Sequence, residues 1–120
     1  MLAFLWVGLI LAMPGWSQQG TAICDGNTAE TTACLVGQYQ KSDADLNAVY
    51  REAIESATTY GPNDLANLRA AQRRWIAYRD AACEAEFSLY HGGTGGGPAK
   101  FACLGRITDQ RIQELKLAYL

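Results

Sequence analysis

The sequence predicts an all-α domain: an antiparallel helical hairpin plus a third helix, stapled by disulfides. Three observations carry this. Apolar residues recur at i, i+3, i+4 and i+7 in three successive segments. No stretch alternates with period two for long enough to be a strand. Four cysteines, Cys24, Cys34, Cys83 and Cys103, follow an apolar N-terminus of export type, which places two disulfides in an oxidising compartment.

Met1 to Met13 read MLAFLWVGLILAM. The run falls short of the roughly 20 apolar residues that span a bilayer and matches the apolar core of a secretory signal peptide. Pro14 and Gly15 end it, and Gly15-Trp16-Ser17 sets small residues where a signal peptidase reads. The expected organisation is a signal peptide over 1–17, a polar lead-in over 18–27 and one helical domain over 28–120. Ile23 before Cys24 does not fit a lipidation site, so the expected product is periplasmic or secreted, with no stable membrane insertion after cleavage. Roughly 100 residues then remain, a chain that buries only about 60–65% of its unfolded surface. Two disulfides offset that weakness.

The first helix is expected over about Thr28 to Thr58, with Leu35, Tyr39, Leu46, Val49, Tyr50, Ala53 and Ala57 on one face and Lys41, Asp45, Glu52 and Glu55 opposite. Gly61-Pro62 ends it, and Asn63 or Asp64 is placed to cap the next helix. The second is expected over about Leu65 to Tyr90, its inward stripe holding Leu65, Leu68, Ala71, Gln72, Trp75, Ile76, Ala82, Cys83 and Tyr90, with Arg79 and Glu86 on the same stripe and Asp80 pointing away. Gly92 and Gly93 supply left-handed positions beyond its end. The third is expected over about Ala99 to Tyr119, with Phe101, Leu104, Ile107, Thr108, Ile112, Leu115 and Ala118 inward and Arg111 among them.

An antiparallel hairpin turning near residues 58–65 sets level those residues whose numbers sum to about 123. Asp43 then faces Asp80 and its neighbour Arg79. A buried guanidinium requires a carboxylate, so an Asp43–Arg79 ion pair is predicted, and losing either partner of a buried pair costs about 3 kcal/mol. The same argument applied to the second hairpin sets Cys83 level with Cys103. This favours Cys83–Cys103 with Cys24–Cys34, while the two other connectivities of four cysteines stay open.

Charge and motif narrow the function classes. A net charge of −2 argues against a nucleic-acid partner, which would favour a basic protein. The cysteines form no CxxC pair and His91 is the only histidine, so no metal is expected. Lys100 stands at the wrong spacing from the glycines of Gly92 to Pro98 for a phosphate loop, and no cofactor is expected. HExxH and G-x-S-x-G are absent, and Glu84 and Glu86 point about 160° apart on one helix, unlike paired glycosidase carboxylates. No catalytic residues are assigned.

The helices carry a combined pattern. The first reads Glu30-x-x-x-Cys34 and then Tyr39-x-x-Ser42-Asp43-x-x-Leu46-Asn47-x-x-Tyr50. The second reads Leu68-Arg69-x-x-Gln72-x-x-Trp75-x-x-x-Arg79-Asp80-x-x-Cys83. The third reads Cys103-Leu104-x-x-x-Thr108-x-x-Arg111-x-x-x-Leu115. This resembles the LprI family, small exported bacterial proteins named for a lysozyme inhibitor, over roughly Cys24 to Leu115. Ser42 stands where the family usually has alanine, and the Gly92–Pro98 segment is richer in glycine. The resemblance implies a non-enzymatic binding protein, with a lysozyme or another envelope protein as partner.

Asn47, Gln72, Thr108 and Arg111 are read as structural polar groups that bond to one another or to backbone carbonyls. Trp75, Tyr39 and Tyr50 are read as core aromatics. The loop from His91 to Pro98 is read as a flexible linker or as a flexible finger for a partner's cleft, with Tyr90, His91 and Thr94 as contact residues. The acids Asp45, Glu52, Glu55 and Glu84 are candidates for steering the chain towards a basic enzyme.

Overall fold

In the computed structural model, residues 23–120 are described; the expected signal peptide and the first half of the lead-in lie outside them. Three helices follow in chain order: α1 (Thr28–Tyr60), α2 (Pro62–Ser88) and α3 (Gly96–Tyr119). No strand occurs among the described residues. No helix among them is long and apolar enough to cross a membrane.

Asn27 starts α1. Its side chain accepts from the Glu30 backbone N–H at 2.9 Å and donates to the Glu30 carboxylate, which satisfies an otherwise orphaned first-turn amide. The helix runs two residues past its expected end, and one residue, Gly61, makes the whole connection to α2. Gly61 has φ +147° and donates its N–H to the Ala57 carbonyl, a conformation that side chains rarely adopt. Pro62 then opens α2 instead of blocking it, because a first-turn residue has no intrahelical partner for its N–H. Asn63 and Asp64 therefore lie inside the first turn, and neither caps it.

The chain runs up, down and up, so α1 and α3 are parallel. The Ser56 hydroxyl near the end of α1 donates to the Tyr119 carbonyl at the end of α3. These two form the most closely packed pair, since Ala53 and Ala57 are fully buried and hold no bulk between the helices. One apolar cluster gathers Leu46, Ala53, Ala57, Leu68, Ile112 and Leu115. A second gathers Cys83, Cys103, Leu104 and Ile107. Trp75 packs against both.

The inward stripe of α2 is narrower than the sequence suggests. Leu68, Gln72, Arg79 and Cys83 are buried, but Ala71 is exposed, Ile76 is 41% exposed and Tyr90 lies exposed beyond the helix. Ala118 on α3 is exposed too. In a three-helix arrangement each helix meets neighbours along only part of its circumference, so the shoulders of a wide apolar stripe stay in solvent.

Candidate functional site

Acidic residues of α1 and α2 converge on one buried group. Arg79 is only 7% exposed. Its Nε donates to Asp80 at 3.0 Å and its Nη1 lies 3.6 Å from Asp43 on α1. The Tyr39 and Trp75 rings lie 5.6 and 5.1 Å from its Cζ, within cation–π range. Arg111 of α3 lies 5.8 Å from the same indole, donates Nε to the Gln72 side-chain oxygen at 3.0 Å and pairs with Glu114. Phe101 extends the series beyond Tyr39, with ring centroids 6.4 Å apart. Burial pushes the Tyr39 phenol above its ordinary range, opposed by Arg79 and aided by Asp43 and Asp80.

The site residues fall out as follows. Asp43 and Arg79 meet across the first hairpin, but Asp80, read as a solvated residue, shares the guanidinium. Its position next to Arg79 carries it back to the same group. Gln72 and Arg111 bond to each other. Thr108 does not join them: it is fully buried and its hydroxyl has no hydrogen-bond partner. Asn47 is exposed on the solvent side of α1 and joins no polar cluster. A buried hydroxyl without a partner carries its desolvation penalty in full. Replacing Thr108 by valine, nearly the same shape, raises stability by about 1 kcal/mol, read as a higher thermal midpoint.

Arg79 is thus enclosed by rings and carboxylates, and the accessible features lie elsewhere. The structure pairs Cys83 with Cys103 and Cys24 with Cys34. Two ion pairs flank the first disulfide: Lys100 with Glu84 at 2.9 Å and Arg106 with Glu86 at 2.6 Å. The register that sets Cys83 opposite Cys103 was enough to bring Lys100 to Glu84, a pairing that the sequence reading missed. Of the four candidate steering acids, Glu84 and Asp45 are paired, the latter with Lys41. That hydrogen bond raises the Lys41 ammonium above its ordinary range. Glu52 and Glu55 are exposed and form no ion pair among the described residues.

Beyond this clamp, the α2–α3 turn is an ordered tip. The Gly93 N–H donates to the Tyr90 carbonyl at 2.8 Å, and the Gly96 N–H to the Gly93 carbonyl. His91 has φ +49° and Gly92 φ +79°. A Cβ on Gly95 would stand 2.7 Å from the Tyr90 ring, and one on Gly96 2.9 Å from the Phe87 ring. The glycines are therefore seats for two aromatic rings, and helix α3 begins among them, three residues earlier than expected. Leu89, Tyr90, His91 and Thr94 are exposed on this tip. Gly96→Ala drives a methyl against Phe87 and lowers stability by about 1–2 kcal/mol, read in a thermal melt.

An open groove lies between α1 and α3, lined by Asp45, Val49, Asp109, Ile112 and Lys116. No three His, Cys, Asp or Glu side chains among the described residues are grouped to hold a metal.

A small helical domain, clasped by two disulfides and keyed by a shared arginine, is the class these features define. The family model described as lysozyme inhibitor LprI matches residues 21–115, and the chain belongs to that family. It is 34% identical over 93 residues to the uncharacterized protein R02472 of Rhizobium meliloti (strain 1021), an alignment covering 69% of this chain and 67% of the relative. No solved structure matches the chain.

Proposed function

We propose that this protein inhibits a muramidase by occlusion and makes no bonds of its own. The match to the lysozyme inhibitor family over residues 21–115 carries this reading. The tip supports the manner of binding. A muramidase cleft holds two carboxylates across the scissile bond, and the braced turn offers Leu89, Tyr90, His91 and Thr94 as a compact projection. A surface already ordered before contact loses little freedom on binding. Glu52 and Glu55 supply attraction towards a basic enzyme.

The same reading places the protein outside the cytoplasm, with residues 1–17 removed as a signal peptide. Two disulfides support that compartment.

The test is lysis of cell-wall suspensions by a panel of lysozyme types. The disulfide-bonded protein at micromolar concentration slows at least one of them, and Tyr90→Ala with His91→Ala abolishes the effect without loss of helicity. Full lysis by every type at every concentration removes the proposal.

One observation favours a second reading, an interaction module of the cell envelope. Leu117 is 89% exposed and Leu120 is exposed near it, at the end of α3 far from the tip. In that case lysis is unaffected and Leu117→Asp breaks association with an envelope protein.

A further inference from the structure

The outer face of α2 carries three exposed arginines without ion pairs among the described residues. From Leu65 to Arg79 the chain holds four arginines and no acidic residue, although the whole protein carries a net charge of −2. Arg79 points inward. Arg69, Arg73 and Arg74 are exposed, and none forms an ion pair among the described residues. The next charged residues along the helix are Asp80 and Glu84, whose side chains are 58% and 60% exposed although each already has one partner. One helix therefore presents a basic half followed by an acidic half.

Between the two halves lies Ala77, exposed on the side opposite buried Leu68 and Arg79. Ala81 is exposed on the same face one turn on, while Ile76 and Tyr78, 41% and 62% exposed, lie at the opposite margins of that face, about 100° to either side of Ala77. An apolar centre with charge at both ends is the anatomy of an interface.

We propose that this face binds a second copy of the chain, α2 against α2, antiparallel about a two-fold axis at Ala77. Antiparallel pairing about residue 77 sets level those residues whose numbers sum to about 154. Arg73 of one copy then meets Asp80 of the other on the same flank and comes within a turn of Glu84. The two-fold axis repeats each contact, so the patch is complementary to itself and the assembly closes as a dimer. Parallel pairing in register sets arginine against arginine. Small Ala77 and Ala81 at the crossing let the helix axes approach to about 8 Å. The contact covers about four turns of one helix, near the low end of specific interfaces, so the dimer is reversible and salt-sensitive. The α2–α3 tips lie at opposite ends of the pair, and both stay free.

The experiment is sedimentation equilibrium of the disulfide-bonded protein at low and high salt, with helicity checked by circular dichroism. The protein dimerises reversibly, and salt weakens the dimer. Arg73→Glu with Arg74→Glu raises the dissociation constant by about tenfold or more, and Ala81→Glu does the same. Ala77→Cys gives a covalent dimer on mild oxidation much faster than Glu55→Cys on the far side of α1. Four results overturn the proposal: a monomer up to millimolar concentration, a dimer indifferent to the Arg73 and Arg74 reversals, equal cross-linking at positions 77 and 55, or binding to anionic phosphatidylglycerol vesicles without self-association. The last assigns the arginines to a lipid surface.

Discussion

Arg79→Ala lowers stability by about 3 kcal/mol, a fall of roughly 12–24 °C in the melting midpoint of a domain this size, whereas Asp43→Asn alone lowers it by only about 1 kcal/mol. The difference follows from how the guanidinium is held. Arg79 is 7% exposed, so alanine removes a buried side chain together with two ring contacts and two ion pairs. Asp43 is 43% exposed at the side chain and lies 3.6 Å away, and Asp80 remains at 3.0 Å when it is neutralised. The value of about 3 kcal/mol expected for losing either member of an isolated buried pair therefore applies to the arginine and not to Asp43. Two half-exposed acids share the work. Neutralising both, in Asp43→Asn with Asp80→Asn, leaves a buried cation without a counter-ion and destabilises by more than the sum of the single changes. Thermal melts of the four proteins check this. A double variant that is merely additive shows that the two acids do not substitute for one another.

The second large effect separates the two disulfides. Cys83→Ala with Cys103→Ala destabilises by about 3 kcal/mol or more, while Cys24→Ala with Cys34→Ala costs about 1 kcal/mol or less. Chain entropy alone gives the two bridges similar weight, since they close spans of 20 and 10 residues. Their surroundings differ. Cys83 and Cys103 are both fully buried beside Leu104 and Ile107, so their removal also opens the second apolar cluster. Cys24 lies in the arm before α1, outside both clusters. Once cut free, that arm regains its disorder in the folded state as well, and the entropic benefit largely cancels. Melts of the two double variants under non-reducing conditions decide it, and equal shifts contradict the distinction.

The fold was legible because helical geometry is regular. The period of 3.6 set three helices in order, and an antiparallel register brought Asp43 to Arg79 and Cys83 to Cys103. What escaped depends on tertiary detail. Gly61-Pro62 reads as a break, yet a single glycine with positive φ turns the chain and proline starts the next helix. Gly96 and Gly97 read as loop because glycine is a poor helix former, yet they open α3, and the room for the Phe87 ring depends on the missing side chain at Gly96. Ile76 and Tyr90 carry the apolar pattern of the core and remain in solvent. The solitary hydroxyl of Thr108 has no signature in sequence, because partnerless and bonded threonines look alike there. At the tip, residue types were legible and the close packing was not, since it comes from rings seated on glycine backbone.

Trp75 touches both apolar clusters and is the only tryptophan between residues 23 and 120. The described domain therefore carries its own optical reporter at the seam between its two halves. Indole emission and backbone ellipticity trace one melting curve when both halves yield together, and two curves when one half yields first.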